Sequence, residues 1–349
     1  MFRGDQGVMG KRSVARAALI GLLAVLVGPA WSDACRAADS AVVLLYHRFD
    51  DNRVPALNTD SDLLAAHLAE LKRNGHTVMA LPQVIDSMRT GKPLPDKAVA
   101  ITIDDASASI HSRAWPVLKK AGLPVTLSIA TDEIDRGGPD TLTWNQIREM
   151  VAQGANVASQ GAARLRMSRT DGATVTADLV RAHARFEREL GMTPTVFTWP
   201  WGETGAEAKA EVRRAGYHAA FGQHSGAAWA MADAFYLPRF GVTGPYGDLE
   251  RFRLAARALP LPAVDVTPAD PALKANPPAF GFTLTEEVPG IDGLTCFASH
   301  QGQLRVERLG PRIEVRMSKP FPPGRGRLNC TVATLEGRWR WFGWQFVAP

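Results

Sequence analysis

From Ala41 onward, short apolar runs alternate with longer stretches in which apolar residues recur every three or four positions. Ala41–His47 (AVVLLYH) reads as a buried strand, because an unbroken β-branched run suits a sheet covered on both faces. Asp62–Asn74 places Leu64, His67, Leu68 and Leu71 at helical spacing and stops at Gly75. The same reading predicts strands at Thr77–Leu81, Ala98–Asp105, Pro124–Ala130, Asn156–Gln160, Thr195–Trp199 and His218–Phe221. It predicts helices at Pro82–Arg89, His111–Lys120, Thr143–Gln153, Thr176–Leu190 and Ala206–Ala215. Thr143 with Gln146 three residues later is a capping-box pattern. Strand–helix alternation with short connections implies parallel strands and right-handed crossovers. About seven such units point to an α/β fold, a distorted (β/α) barrel, with an open doubly wound sheet as the alternative.

The pattern changes after Asp248. Residues 255–278 are rich in proline and alanine and read as a linker. Beyond it, short alternating runs predict six strands: Phe280–Thr285, Leu294–Ser299, Leu304–Leu309, Arg312–Met317, Leu328–Leu335 and Trp339–Val347. The expected organisation is therefore residues 38–254 as the barrel, 255–278 as the linker and 279–349 as a small all-β domain.

Residues 1–37 read as an export signal. Lys11, Arg12 and Arg16 precede the apolar run Ala17–Val27, and small residues follow it. The run is shorter than the ~20 residues of a membrane span, so cleavage and a periplasmic or secreted product without an integral span are expected. An uncleaved anchor is the alternative. The chain carries a net charge of +5. Five of its cations, against two acids, lie in residues 1–37, so the rest is near neutral and carries no electrostatic footprint for nucleic acid. No GxGxxG or GxxxxGK[ST] pattern supports nucleotide binding. Beyond Cys35, the sequence holds Cys296 and Cys330. In an oxidising compartment such a pair is expected to form a disulfide between two strands, with two buried thiols as the alternative.

Polar residues gather where the predicted strands end. These are Tyr46-His47, Asp104-Asp105, Ser159-Gln160-Gly161, Trp199-Pro200-Trp201-Gly202 and Gly222–Gly226. Active sites of parallel barrels are built at that end. Adjacent carboxylates there can divide the work of proton transfer and cation binding. The alternative is a helix cap with one solvated aspartate.

The succession Tyr46-His47, Thr102-Ile103-Asp104-Asp105, SQGAARL (159–165), Trp-Pro-Trp-Gly (199–202), GQHSG (222–226) and LPRF (237–240) resembles the polysaccharide deacetylase family, proteins with a NodB homology domain (carbohydrate esterase family 4). The resemblance runs from about Ala41 to Leu249 and is greatest to secreted bacterial members with a C-terminal β extension. It implies a distorted (β/α) barrel and removal of N-acetyl groups from aminosugar polymers. By position, Asp104 corresponds to the catalytic base and Asp105 to a ligand of a divalent metal, usually zinc. The family's two metal histidines fall at Gln160 and Arg164. An amide is a poor zinc ligand, and a guanidinium brings a fixed positive charge to the place of a dication. The family's motif arginine falls at Thr198, and the glycine after its paired aspartates at Ala106.

The expected function is binding of, or action on, N-acetylated glycans with a degenerate metal site and no cofactor. An active enzyme using zinc or another divalent metal, with Asp105 and His47 or His224 as ligands, is one alternative. A structural partner of a polysaccharide export complex is the other. Trp144, Trp199, Pro200, Trp201, Gly202, His224 and Arg239 are the expected substrate contacts. Arg164 is expected to reach Asp105 as a replacement for the missing cation.

Overall fold

Each parallel strand presents two different faces to its surroundings. In β5 (Ala98–Asp104), Val99, Ile101 and Ile103 pack into a core with Leu118, Ile147 and Phe186, whereas Ala98, Ala100, Thr102 and Asp104 face the other way. The computed structural model describes Met1 and residues 38–349. The expected export segment and Cys35 lie outside the described residues.

The first sheet contains β1 (Ser40–Tyr46), β4 (Thr77–Val78), β5, β6 (Thr126–Ile129), β7 (Asn156–Ser159), β8 (Val196–Thr198), β9 (Ala219–Phe221), β10 (Ala228–Trp229) and β11 (Phe240–Gly241). β2 (Arg48–Phe49) and β3 (Asn58–Thr59) form a separate short ladder. The order β10-β1-β5-β6-β7-β8-β9 is parallel except at β10, and β11 and β4 add to β1 and β5. The helices are α1 (Ser61–Arg73), α2 (Leu81–Thr90), α3 (Trp115–Ala121), α4 (Thr131–Arg136), α5 (Trp144–Ala152), α6 (Gly172–Leu190), α7 (Ala206–Arg214) and α8 (Leu249–Ala256). The predicted capping box forms: the Thr143 N–H donates to Gln146 Oε1 at 2.9 Å, and the Gln146 N–H to Thr143 Oγ1 at 3.3 Å.

The sheet curls until its ends nearly meet. Leu237 bridges Phe221 of β9, and three residues later Phe240 pairs with Leu44 of β1. Residues 237–241 thus stitch the seam of a half-barrel. Gln223, just beyond β9, donates to Asp104 of β5 at 3.4 Å across the three intervening strands, so the Asp104 face is the concave one.

The second sheet has the order β12-β19-β18-β15-β16-β17-β14-β13. Its strands are β12 (Leu259–Pro260), β13 (Ala263–Thr267), β14 (Phe280–Leu284), β15 (Thr295–Ala298), β16 (Gly302–Leu309), β17 (Arg312–Arg316), β18 (Gly324–Ala333) and β19 (Trp339–Ala348). The six predicted strands are all present. The segment 255–278, read from composition as a linker, carries β12, paired to β19, and β13, paired to β14. Cys296 and Cys330 stand directly opposite in the β15–β18 ladder and are joined as a disulfide. Both sheets belong to one compact unit. Among the described residues, no helix is long and apolar enough to cross a membrane.

Candidate active site at the barrel mouth

The concave face is small and apolar low in the barrel and polar at the strand C-termini. Ala98, Ala100, Ala158 and Ala219 give way to Thr102, Asp104, Gln160 and Thr198, all fully buried. Asp104 ends β5 there. Both its oxygens are taken by Arg239, with Nη1 to Oδ1 at 2.7 Å and Nη2 to Oδ2 at 2.8 Å. Neither side chain has exposed surface. Burial alone would raise the Asp104 pKa, but the Arg239 charge and its two hydrogen bonds outweigh that and hold it below the usual carboxylate range. Arg239 also donates to the Gly222 carbonyl and to Thr102, so the guanidinium is fixed from several sides. Arg239, expected as a substrate contact, is completely buried and is the internal counter-ion of Asp104.

Asp105 leaves the strand with a left-handed backbone, φ 58°. Its carboxylate meets Arg164 of the loop after β7. Arg164 Nη2 donates to Asp105 Oδ1, and Nη1 to Glu133 at 3.3 Å. The pair expected from the sequence is therefore formed. Burial works against the Arg164 charge, and the carboxylates of Asp105 and Glu133 more than compensate, raising its pKa. The loop that carries Arg164 is pinned. Asp178 of α6 accepts from the backbone N–H groups of Ala162 and Ala163 at 2.9 and 2.8 Å. Gly161, at φ 78°, lies so close that a Cβ there would stand 2.2 Å from the Asp178 carboxylate. The Arg164 guanidinium also lies over the Trp201 ring at 4.4 Å, with Arg166 beside the same ring at 5.0 Å. Arg164 and Trp201 share the positive φ of Asp105, at 55° and 63°. Three non-glycine residues in this conformation at one site mark it as built for something other than stability alone.

A divalent metal does not fit these residues. The oxygen that would ligate it is held by a guanidinium, and Gln160 offers an amide where imidazole is expected. Among the described residues, no three His, Cys, Asp or Glu side chains gather as a metal-binding group. Asp105, His47 and His224 are not assembled into one. His47 is buried with Nδ1 unpartnered, and burial lowers its pKa against the opposing pull of Asp105 and Asp104. His224 is buried against Tyr236, and burial together with Arg239 pulls its pKa down to about 3. Gln160 is fully buried and neither amide atom has a partner. Such an orphaned amide facing a barrel interior is costly and unusual.

The tryptophans divide between core and surface. Trp199 is completely buried and donates to the Phe235 carbonyl at 2.9 Å. Trp144 packs edge-on against Phe186 and donates to Asp135 at 2.7 Å. Trp201 is half-buried at the mouth, between buried Pro200 and Gly202. Of the three tryptophans among the expected substrate contacts, Trp201 is the one left partly exposed. Local sequence pattern does not show the role of the second sheet here. Its Arg325 and Gln345 donate to the Trp201 carbonyl at 3.3 and 3.2 Å, and the Tyr236 hydroxyl donates to the Gln345 carbonyl at 2.9 Å. The aromatic stretch Trp339–Phe346 is the signal available in the chain. It seats one end of β19 against the barrel mouth.

Comparison with known proteins agrees with this architecture. Residues 91–220 match the protein-family model described as polysaccharide deacetylase. The poly-β-1,6-N-acetyl-D-glucosamine N-deacetylase of Escherichia coli (strain K12) is 24% identical over 230 residues, covering 54% of this chain and 34% of that protein. The chain thus spans about a third of the length of that curated relative. IcaB from Ammonifex degensii superposes with a TM-score of 0.56 at 24% identity, covering 63% of this chain and 98% of that one. The Streptococcus pyogenes deacetylase PplD, in complex with acetate, gives 0.58 at 19% identity, covering 62% and 98%. Residues 91–220, which carry the paired aspartates of the half-barrel, are accordingly similar to a polysaccharide deacetylase domain.

Proposed function

We propose that this chain binds N-acetylated glycans in the cell envelope and has weak or absent deacetylase activity. One observation carries the reading: each of the two aspartates is engaged by an arginine, Asp104 by Arg239 and Asp105 by Arg164. A fixed cation balances the charge that the family's metal balances. A general base needs a free lone pair within reach of the proton it takes. Asp104 has neither free oxygen nor exposure, and its lowered pKa makes it a weaker base. The names of relatives such as the Escherichia coli enzyme support β-1,6-linked N-acetylglucosamine as the first ligand to test. Export to the periplasm or outside the cell is part of the proposal, supported by the disulfide and the charge and apolar layout of residues 1–37.

The test is acetate release from β-1,6-linked N-acetylglucosamine hexamer and from chitohexaose with added zinc, alongside calorimetric titration of the same oligomers. Binding without acetate above background is expected. Zinc-dependent turnover of either oligomer would overturn the reading.

A further inference from the structure

A cleft of about 490 Å³ opens where the second sheet meets the barrel mouth, and its floor is continuous with the aspartate site through His47 and Gln223. Three arginines line it: Arg251 from α8, and Arg325 and Arg327 from β18. No aspartate or glutamate lines it. The acids nearby are already matched. Asp104 is held by Arg239, Asp105 by Arg164, and Glu203 by Arg166 at 2.7 Å. Among the described residues, no carboxylate forms an ion pair with any of the three arginines. Proteins rarely crowd like charges without a counter-charge, since their mutual repulsion is unfavourable.

Two further features point to a sugar. Tyr246 and Phe297 line the same cleft, and each keeps 48% of its surface exposed. Large rings left open beside polar groups suit the apolar face of a pyranose. The Arg251 guanidinium lies over the Tyr246 ring at 4.9 Å, which holds charge and platform together. Deeper in, His47 is more than nine-tenths buried with Nδ1 unpartnered, a polar atom available to a ligand hydroxyl.

From these contacts we infer that the cleft binds an anionic sugar unit, one bearing a carboxylate or phosphate, within the glycan. Guanidinium forks match both groups in geometry. This rests on the glycan-binding reading and narrows it from neutral to acidic polymers. It also explains what the second sheet adds to the barrel, since β18 supplies two of the three charges.

Calorimetry on the full chain tests it, with a hyaluronan hexasaccharide as the acidic N-acetylated probe and chitohexaose as the neutral one. The acidic oligomer should bind about tenfold more tightly at low ionic strength and lose that advantage as salt rises. Arg327→Gln and Arg251→Gln should each weaken the acidic oligomer about tenfold and remove most of its advantage over chitohexaose. An unchanged melting temperature in each variant checks that the fold survives. Competition by inorganic phosphate identifies the anion itself as what is read; failure to compete, with hexasaccharide binding intact, identifies the carboxylated sugar. Equal binding of both oligomers, unchanged in both variants, would overturn the acidic site and leave the glycan reading standing. Loss of binding to both oligomers in the unaltered protein would remove both.

Discussion

Arg239 and Asp104 meet inside the barrel through two hydrogen bonds of 2.7 and 2.8 Å, with no exposed surface on either side chain. Arg239 lies in the segment that stitches β9 to β1, and Asp104 ends β5, so the fork ties the seam to the sheet. Removing one partner strands the other's charge in the interior. Arg239→Met should therefore destabilise the protein by about 3–5 kcal/mol, and Asp104→Leu by a similar amount. The double variant should lose far less than the sum of the two. Urea unfolding of the three variants measures this, and simple additivity would contradict it.

The second sheet is held to the barrel by a close backbone approach. A Cβ on Gly343 of β19 would stand 2.0 Å from the Ser225 carbonyl oxygen. Gly343→Ala should cost about 1–3 kcal/mol through overpacking. It should also lower affinity for any ligand held between the two sheets. Gly293→Ala meets nothing within 4 Å and serves as the control, expected within about 0.5 kcal/mol of the parent. Equal melting temperatures for the two variants would contradict the packing argument.

Buried neutral histidines set the acid response. His67 shares a hydrogen bond with the Tyr46 hydroxyl at 2.9 Å and donates to the Gly247 carbonyl at 2.7 Å, stacked on Phe252. Burial pulls its pKa to about 4, and that of His224 to about 3. As pH falls below the unfolded value of about 6.5, the unfolded chain takes up protons that the native chain refuses. Stability is then complete above about pH 6.5 and falls progressively toward pH 4, by an order of a few kcal/mol. Denaturant midpoints at about pH 7.5, 6.0 and 5.0 should decline in that order. A flat profile would show that these rings take up protons equally in the native and unfolded states.

The disulfide closes a loop with a sequence separation of 34. Chain entropy assigns such a closure about 3–4 kcal/mol, so Cys330→Ser should weaken β15 and β18 first. Hydrogen exchange resolved by peptide tests this, with faster exchange expected in residues 295–333 than in β1 or β5. Uniform acceleration across both sheets would contradict a local effect.

Much of this arrangement can be read directly from the chain. Period-two alternation exposes the six late strands, strand-end polarity exposes Asp104, Asp105 and Gln160, and the family resemblance singles out Arg164. Arg239 is harder to place. Its partner is 135 residues away, and its burial follows from barrel closure, which local pattern does not encode. Trp199 resembles a sugar platform because its neighbours are polar, yet its strand parity turns it into the core beside Phe197. Proline and alanine conceal β12 and β13, which are stabilised by pairing with distant strands rather than by their own propensity. The six-residue α4 escapes notice because so short a helix carries little periodicity. The early start of α6 rests on Asp171, whose side chain accepts from the Thr174 N–H at 3.0 Å just ahead of a glycine that suggests a loop.

The central claim is that Gln160 and Arg164 stand where the two metal-binding histidines would, with the Arg164 charge in place of the metal's. Zinc content after dialysis, measured side by side in the unaltered protein and in the Gln160→His/Arg164→His variant, tests it most directly. The account predicts substoichiometric zinc in the unaltered chain and close to one equivalent in the variant, where two imidazoles join a freed Asp105. One tightly held equivalent in the unaltered chain would contradict it, and so would a well-folded variant that binds none.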